Sequence, residues 1–220
     1  MQLSVECARV LASLVEKGLT TPQQYPLTVN ALLTACNQAS NREPVVSYDE
    51  ATVQSALDEL KGLRLVRFVL PSHGRSVVRY RQVLDEALGL DDRQCAVLAV
   101  LMLRGAQTVG ELRTRTERMA RFDGLVEVEH ELELLASRDE PLVRNVGRRP
   151  GQKEERWASL LVGTDDVEDL GAVQPPAAVG EPARLAYPPD DELRSELDSL
   201  KGEVAQLRHE LEELRRSLGG

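Results

Sequence analysis

The sequence predicts a protein of the α+β class, mainly α, built from two related units, a linker and a C-terminal helix. An apolar pattern near the N-terminus recurs 87 residues later, where Val97-Leu98-Ala99-Val100-Leu101-Met102 repeats the pattern of Val10-Leu11-Ala12-Ser13-Leu14-Val15. Each copy opens a series of three helical patterns followed by two short strand patterns. Beyond residue 189, leucines recur at three- and four-residue spacing, as they do in a coiled coil.

The first unit contains three helical patterns and a hairpin. Apolar residues at helical spacing predict the first helix, and a turn at Thr20-Thr21-Pro22 ends it. Ser47 and Glu50 have the spacing of a capping box, which predicts that the third helix begins there. The predicted elements are a first helix from about residue 3, a second helix over about 27–37, a third helix from 47, and strands over 65–70 and 76–82.

The second unit repeats this order with shorter connections. Asp91 predicts the N-cap of its first helix, and Thr108 with Glu111 predicts a capping box for the second. A third helix is predicted from about Leu125 to Ser137, followed by strands over 142–146 and 156–161. Three helices followed by a hairpin are the order of a winged helix. We therefore predict two tandem winged-helix domains, over residues 1–84 and 85–162.

Several separated motifs occur in order along residues 3–162. They include Arg9-Val10-Leu11-Ala12-Ser13-Leu14, Tyr25-Pro26-Leu27, Asn30-Ala31-Leu32, Ser40-Asn41-Arg42, Gly110-Glu111-Leu112-Arg113 and Glu155-Arg156-Trp157. These motifs resemble the YceH family of uncharacterised bacterial proteins. The resemblance implies a tandem winged-helix fold, and it carries over no catalytic residues or activity. Where the family commonly has Lys, this chain has Ala39, which removes one candidate phosphate contact.

The C-terminal part of the chain predicts a flexible linker over residues 163–189 and a coiled coil over residues 190–218. The linker holds 5 of the 11 prolines and shows no apolar period. The predicted seam keeps the heptad spacing without interruption: Leu193, Leu197, Leu200, Val204, Leu207, Leu211, Leu214 and Leu218.

Charges beside the seam indicate how two copies would pair. A parallel pair would place Glu196 opposite Lys201, Glu203 opposite Arg208, and Glu210 opposite Arg215, which are all attractive contacts. An antiparallel pair would place like charges together. The pattern therefore favours a parallel homodimer, with a trimer, or packing of this helix against its own chain or another protein, as alternatives.

The residues that could carry chemistry are sparse. Cys7, Cys36 and Cys95 are widely spaced among apolar residues, where a free thiol behaves as a small hydrophobic group. The three histidines do not group with them at metal-ligand spacing. The sequence has neither a Gly-rich phosphate loop nor a Ser-His or Cys-His motif. We expect no metal, no cofactor and no enzymatic activity.

The length and charge of the chain limit its location and partners. Its apolar runs are shorter than the roughly 18 residues of a spanning helix, and its N-terminus lacks the features of a signal peptide. We expect a cytoplasmic protein with no membrane partner. The 220 residues have a net charge of −9, but residues 163–220 alone hold 14 acidic and 6 basic residues. The remaining chain is therefore near neutral, which permits local contacts with double-stranded DNA.

Candidate DNA contacts fall on the third helices and the hairpins. In the first unit, carboxylates surround the polar residues of the third helix. The third helix of the second unit carries four glutamates: Glu127, Glu129, Glu131 and Glu133. Because carboxylates near phosphates reduce affinity, we expect the helix at 125–137 to contact a protein partner instead. The nucleic-acid candidates are Arg42, Thr52, Gln54, Ser55, Arg75, Arg79, Arg148, Arg149 and Lys153, with solvated or turn-forming residues as the alternative.

The leading interpretation is a dimeric DNA-binding regulator or accessory factor that contacts DNA through its wings. The alternative is an adaptor that uses the same winged-helix surfaces and coiled coil to hold proteins without binding DNA. Binding that weakens steeply with salt would favour the first interpretation. A binding surface centred on the acidic helix at 125–137 would favour the second.

Overall fold

The computed structural model describes residues 1–70, 77–148 and 151–163, which belong to one compact unit, Met1–Val173. Within these residues, helices pack with two small antiparallel sheets, which confirms the α+β class. The predicted linker beyond residue 163 and the predicted coiled coil over residues 190–218 lie outside the described residues. Residues 71–76 and 149–150 also lie outside them.

The first half of the unit follows the predicted order. A 3-10 turn at Pro22–Gln24 follows the first helix, and a short helix after the hairpin, which the sequence analysis did not predict, leads into the second half. The elements are α1 (Val5–Thr20), α2 (Val29–Cys36), α3 (Glu50–Gly62), β1 (Val66–Val69), β2 (Arg79–Gln82) and α4 (Leu84–Leu88).

The second half repeats the order of helices and hairpin. It also contains a short strand before its second helix, which the sequence analysis did not predict. The elements are α5 (Asp92–Arg104), β3 (Gln107–Thr108), α6 (Val109–Thr116), α7 (Leu125–Ala136), β4 (Val143–Arg148) and β5 (Glu155–Ser159).

Each hairpin carries a further short strand or bridge from the segment before the second helix of its half. In the first half, Leu27 and Tyr80 exchange backbone hydrogen bonds of 3.1 and 2.7 Å, so β2 lies between Leu27 and β1. In the second half, β3 pairs with β5, so the strand order is β3-β5-β4. The strands β1 and β4 are therefore the outer strands of the two hairpins.

The predicted caps are confirmed for the second half and wrong for α3. The Asp91 side chain accepts a hydrogen bond from the backbone of Gln94, and Thr108 with Glu111 forms the capping box of α6. The N-cap of α3 is Asp49, whose carboxylate accepts the Thr52 backbone N–H, rather than Ser47. The helix α3 therefore begins two residues later than the sequence analysis predicts.

The repeated apolar pattern forms the centre of the core. Leu11 and Leu14 of α1, and Leu98 and Leu101 of α5, are fully buried, and α1 packs directly against α5. Burial of each leucine side chain contributes roughly 1.5–3 kcal/mol. Because the first helices of both halves share this packing, the halves form one continuous core.

The two ends of the described chain also meet. Leu3 forms a parallel bridge with Val162, and its backbone N–H donates to the Leu161 carbonyl at 2.7 Å. A second backbone hydrogen bond, from Glu43 to the Leu103 carbonyl at 2.9 Å, joins the α2–α3 loop to the end of α5. These contacts add polar links to the apolar packing between the halves.

Candidate interaction surfaces

Arg42, a predicted phosphate contact, is an internal structural residue. Its side chain is fully buried, and one terminal nitrogen lies 2.6 Å from the Glu16 carboxylate. The guanidinium also donates to the backbone carbonyls of Ala35 and Asn41. Because these contacts use all five N–H groups, Arg42 has no donor left for a phosphate. We therefore correct this part of the sequence prediction.

The rest of the polar α2–α3 loop is also used internally. The Asn37 amide donates to the Tyr48 carbonyl at 2.8 Å and accepts the Tyr48 N–H at 2.9 Å. Buried Arg9 donates to the carbonyls of Cys36 and Pro44, which ties the start of the loop to its middle. The structure thus supports the turn-forming interpretation of this loop. The sequence analysis missed Arg9 because it lies within the apolar pattern of α1.

The exposed face of α3 carries carboxylates beside the predicted base contacts. Thr52 is half-buried and donates its hydroxyl to Asp49 at 2.6 Å, so it completes the cap. Gln54 lies 3.4 Å from the Asp58 carboxylate, and Ser55 is exposed. The hydrogen bonds from Thr52 lower the pKa of Asp49, which keeps this carboxyl group charged. The face is therefore polar and negative.

The first hairpin combines cations with exposed apolar side chains. Arg67 and Arg81 both pair with Glu86, at 3.1 and 2.9 Å, and Arg79 donates to the Pro26 carbonyl at 2.9 Å. Several apolar side chains near these arginines face solvent. They are Phe68 and Val69 on β1, Leu70 directly after it, and Val77 before β2. Arg75 lies outside the described residues.

The second hairpin presents the more accessible cations. Arg144 and Lys153 are exposed, and Arg148 is exposed with its nearest carboxylate, Glu155, 3.9 Å away. Arg156 is different, because it is buried and pairs with Glu111 at 2.8 Å, behind the capping box of α6. Arg149 lies outside the described residues. Arg144, Arg148 and Lys153 are therefore the hairpin cations open to an anionic partner.

The helix α7 has two classes of glutamate. On its inner side, Glu127 pairs with Arg93 at 3.6 Å, and Glu131 accepts a hydrogen bond from Gln94 at 3.0 Å. On its outer side, Glu129 and Glu133 are exposed and have no ion pair among the described residues. They lie four residues apart, a like-charge spacing that destabilises a helix slightly.

Apolar side chains flank the outer glutamates of α7. Val126 is 75% exposed, which makes it the most exposed large apolar residue among the described residues, and Leu134 is 42% exposed. The helical spacing places Val126, His130 and Leu134 along the same side as Glu129 and Glu133. We call this set of five residues the outer α7 face. The face is both acidic and apolar; the sequence predicted its acidic character but not its exposed apolar side chains.

A cleft of about 530 Å³ lies between α6 and the segment 117–123 that follows it. Its charges largely cancel, since Arg121 pairs with Asp123 at 3.1 Å and Glu117 lies beside Arg113. Phe122 lines the cleft and stacks against Arg93, with 5.5 Å between the guanidinium carbon and the ring centroid. The cleft therefore shows no strong preference for an anion or a cation.

The three cysteines are buried free thiols, as the sequence analysis expects of small core residues. Burial raises the pKa of Cys7 to about 11 and that of Cys95 to about 12, and it raises the pKa of Cys36 as well. These thiols are therefore protonated and unreactive near neutral pH. Among the described residues, no His, Cys, Asp and Glu side chains group as a metal site would require.

Two remaining predictions concern the tail and the membrane. The predicted oligomerisation positions, from Leu193 to Leu218, lie outside the described residues. Within the described ranges, none of the helices has the length and apolar character needed to cross a membrane.

Comparison with known proteins assigns a family. A UPF0502 protein of Geobacter sulfurreducens is 47% identical over 190 residues, which cover 86% of this chain and 84% of that protein. A UPF0502 protein of Pelobacter propionicus is 52% identical over 156 residues, covering 71% and 70% of the two chains. The family described as "Protein of unknown function, DUF480" matches residues 3–152. The chain therefore belongs to the DUF480 family, whose relatives named here are UPF0502 proteins.

Proposed function

We propose that this chain is a non-enzymatic adaptor, built from two fused winged-helix units, that binds other proteins. The repeated order of helix, bridge or strand, helix, helix and hairpin supports the winged-helix assignment. We also infer that the YceH resemblance and the DUF480 match describe one family, because both cover nearly the same residues. The predicted coiled coil over residues 190–218 would join two such adaptors.

The observation that carries the adaptor proposal is the outer α7 face. In a winged helix that reads DNA, the third helix enters the major groove. Here that helix presents Glu129 and Glu133, which would repel phosphates, beside the exposed side chains of Val126 and Leu134. Exposed apolar side chains next to unpaired carboxylates suit a protein partner that supplies both apolar contacts and cations.

The partner chemistry follows from the shape and charge of this face. Val126 and Leu134 lie eight residues apart on one helix, or about 12 Å along its axis. A second helix with leucines on one side and flanking lysines would cover both apolar side chains. Its lysines would then reach the two glutamates. We therefore propose a basic amphipathic helix as the ligand of the outer α7 face.

Binding of a synthetic Leu/Lys amphipathic helical peptide tests this proposal. We expect the full-length protein to bind it, and V126S/L134S to weaken binding about tenfold. E129Q/E133Q should weaken it less in high salt than in low salt, because screening already removes part of the attraction. The matched control, D139N/E140Q, removes two exposed carboxylates beyond the end of α7. Equal affinity for all four proteins would refute the proposal.

A second candidate function, DNA binding through the wings, is favoured by one observation. Arg144, Arg148 and Lys153 are exposed on the second hairpin, where a wing would contact the phosphate backbone. If this function holds, binding to a DNA duplex should weaken as salt rises. R148E/K153E should then reduce both the affinity and its salt dependence. Unchanged binding in that variant would exclude contact through this wing.

A further inference from the structure

The outer strand of the first hairpin, β1, has a free edge in the described part of the chain. β2 pairs with β1 on one side and with Leu27 on the other, so β1 ends the small sheet. The outer edge of a terminal strand has backbone N–H and C=O groups that a further strand can pair with. Backbone pairing with an added strand is one of the recurring modes of peptide recognition.

The side chains of β1 differ between its two faces. Within β1, Phe68 lies on one face, and Arg67 and Val69 lie on the other. Leu70, which directly follows β1, is 66% exposed, and Phe68 is 44% exposed, with the Lys61 ammonium nitrogen 4.8 Å from its ring centroid. An added strand would therefore meet apolar groups on one face and a cation on the other.

The charge around β1 selects the partner. The cations of this region outnumber its carboxylates, and Glu86 is shared between Arg67 and Arg81. A second copy of β1 would bring equal cations to the same edge, so charge repulsion disfavours it. An acidic strand would instead gain attraction. The surrounding cations are Lys61, Arg64, Arg67, Arg79 and Arg81.

We propose that β1 binds an extended protein segment in which acidic and apolar residues alternate. The segment pairs with the free edge of β1 through its backbone. Its apolar side chains cover Phe68 and Leu70, and its carboxylates, on the opposite face, lie beside Arg67. This surface is separate from the outer α7 face, and it extends the adaptor proposal to a second partner of opposite charge.

Binding of a short peptide that alternates valine and glutamate tests this inference on the full-length protein. We expect F68S and R67E each to weaken binding about tenfold. The matched control is V146S and R144E on β4, which is the outer strand of the second hairpin and also exposes a valine and an arginine. A peptide of the same composition, N-methylated on alternate residues, should not bind, because it cannot complete the backbone pairing.

Several outcomes would overturn the inference. Equal losses in the β1 and β4 variants would show that the peptide responds to charge and hydrophobicity alone. Self-association of the protein that F68S abolishes would place a second copy on β1. Binding of a DNA duplex that R67E abolishes and F68S leaves intact would assign the edge to nucleic acid. V126S/L134S should not change binding of the valine–glutamate peptide. The two peptides therefore test the β1 proposal and the outer α7 face proposal separately.

Discussion

Replacement of Arg42 by alanine should destabilise the protein strongly, because this side chain is a buried tie between three segments. It joins Glu16 of α1, the end of α2 and the loop that follows. Removal of one partner of a buried ion pair costs about 3–5 kcal/mol. The Glu16 side chain keeps 13% exposure, so water can partly hydrate it, and we expect a loss of about 3 kcal/mol.

This loss can be measured by urea and thermal unfolding, followed by circular dichroism and by the fluorescence of Trp157, the only tryptophan. For a chain of this size, a loss of about 3 kcal/mol lowers Tm by roughly 6–12 °C. Trp157 lies on β5, in the other half of the fold from Arg42. Because α1 and α5 share one core, R42A should shift the fluorescence transition together with the circular dichroism transition.

An exposed ion pair supplies the matched control. Arg121 lies 3.1 Å from Asp123, and its side chain is 91% exposed. Exposed pairs contribute about 0–1 kcal/mol, so R121A should change stability little. The loss of stability in R42K should lie between those of R121A and R42A, because lysine keeps the charge and loses the guanidinium geometry. If R42A costs less than about 1 kcal/mol, or no more than R121A, the structural role of Arg42 is wrong.

Three further predictions concern other parts of the molecule. Truncation after residue 163 should abolish oligomerisation measured by light scattering, and a dimer that persists would contradict the predicted coiled coil. Burial raises the pKa of the Cys95 thiol from 9.0 to about 12. The stability that the buried, protonated thiol contributes to the fold is therefore fully present below pH 9.0 and is lost as pH rises toward 12. Native Cys95 should therefore react with iodoacetamide far more slowly than the unfolded chain, and equal rates would refute its burial. Burial opposes ionisation of Glu111, but hydrogen bonds from Thr108 and Arg156 outweigh it and lower its pKa. The stability that Glu111 contributes should be lost as pH falls below 4.5, the ordinary pKa of a glutamate, and E111Q should flatten this acid limb of the stability profile.

Local patterns predicted the element order because each element carries its own signal. The apolar periods of α1 and α5, the cap at Asp91 and the capping box at Thr108 all depend on residues within a few positions of one another. The bridge at Leu27 and the strand β3 were missed because one or two residues show no alternation. The order of three helices and a hairpin in each half was thus readable from the sequence, while the third strand or bridge beside each hairpin was not.

The N-cap of α3 shows how a distant contact decides between two local signals. Ser47 with Glu50 and Asp49 with Thr52 are both plausible starts for a helix. The Asn37 side chain binds both the N–H and the carbonyl of Tyr48, which keeps Tyr48 outside the helix. Asp49 therefore becomes the cap. That outcome depends on a contact across eleven residues, which a local pattern does not show.

Distant contacts also decide which candidate site residues are structural. The sequence shows Arg42 as a cation in a polar loop, but its partner Glu16 lies 26 residues earlier, on another helix. The carbonyls that Arg42 and Arg9 bind, those of Ala35 and Cys36, belong to the C-terminal turn of α2. Such a turn leaves carbonyls without helical partners. An arginine shortly after a helix end without a glycine cap, as Arg42 is, was thus the available signal for a structural role, whereas the sequence around Arg9 carries no such signal.

The net charge of the chain conceals a contrast between two surfaces on which the adaptor proposal depends. The first hairpin is basic and apolar, whereas the outer α7 face is acidic and apolar. The total charge of residues 1–162 is close to neutral, because basic and acidic residues are nearly equal in number there, so it predicts neither surface. Apolar exposure at both surfaces disfavours a purely electrostatic ligand such as the DNA backbone. Two surfaces of opposite charge on one continuous core would let a single protein hold two unlike partners at a fixed separation.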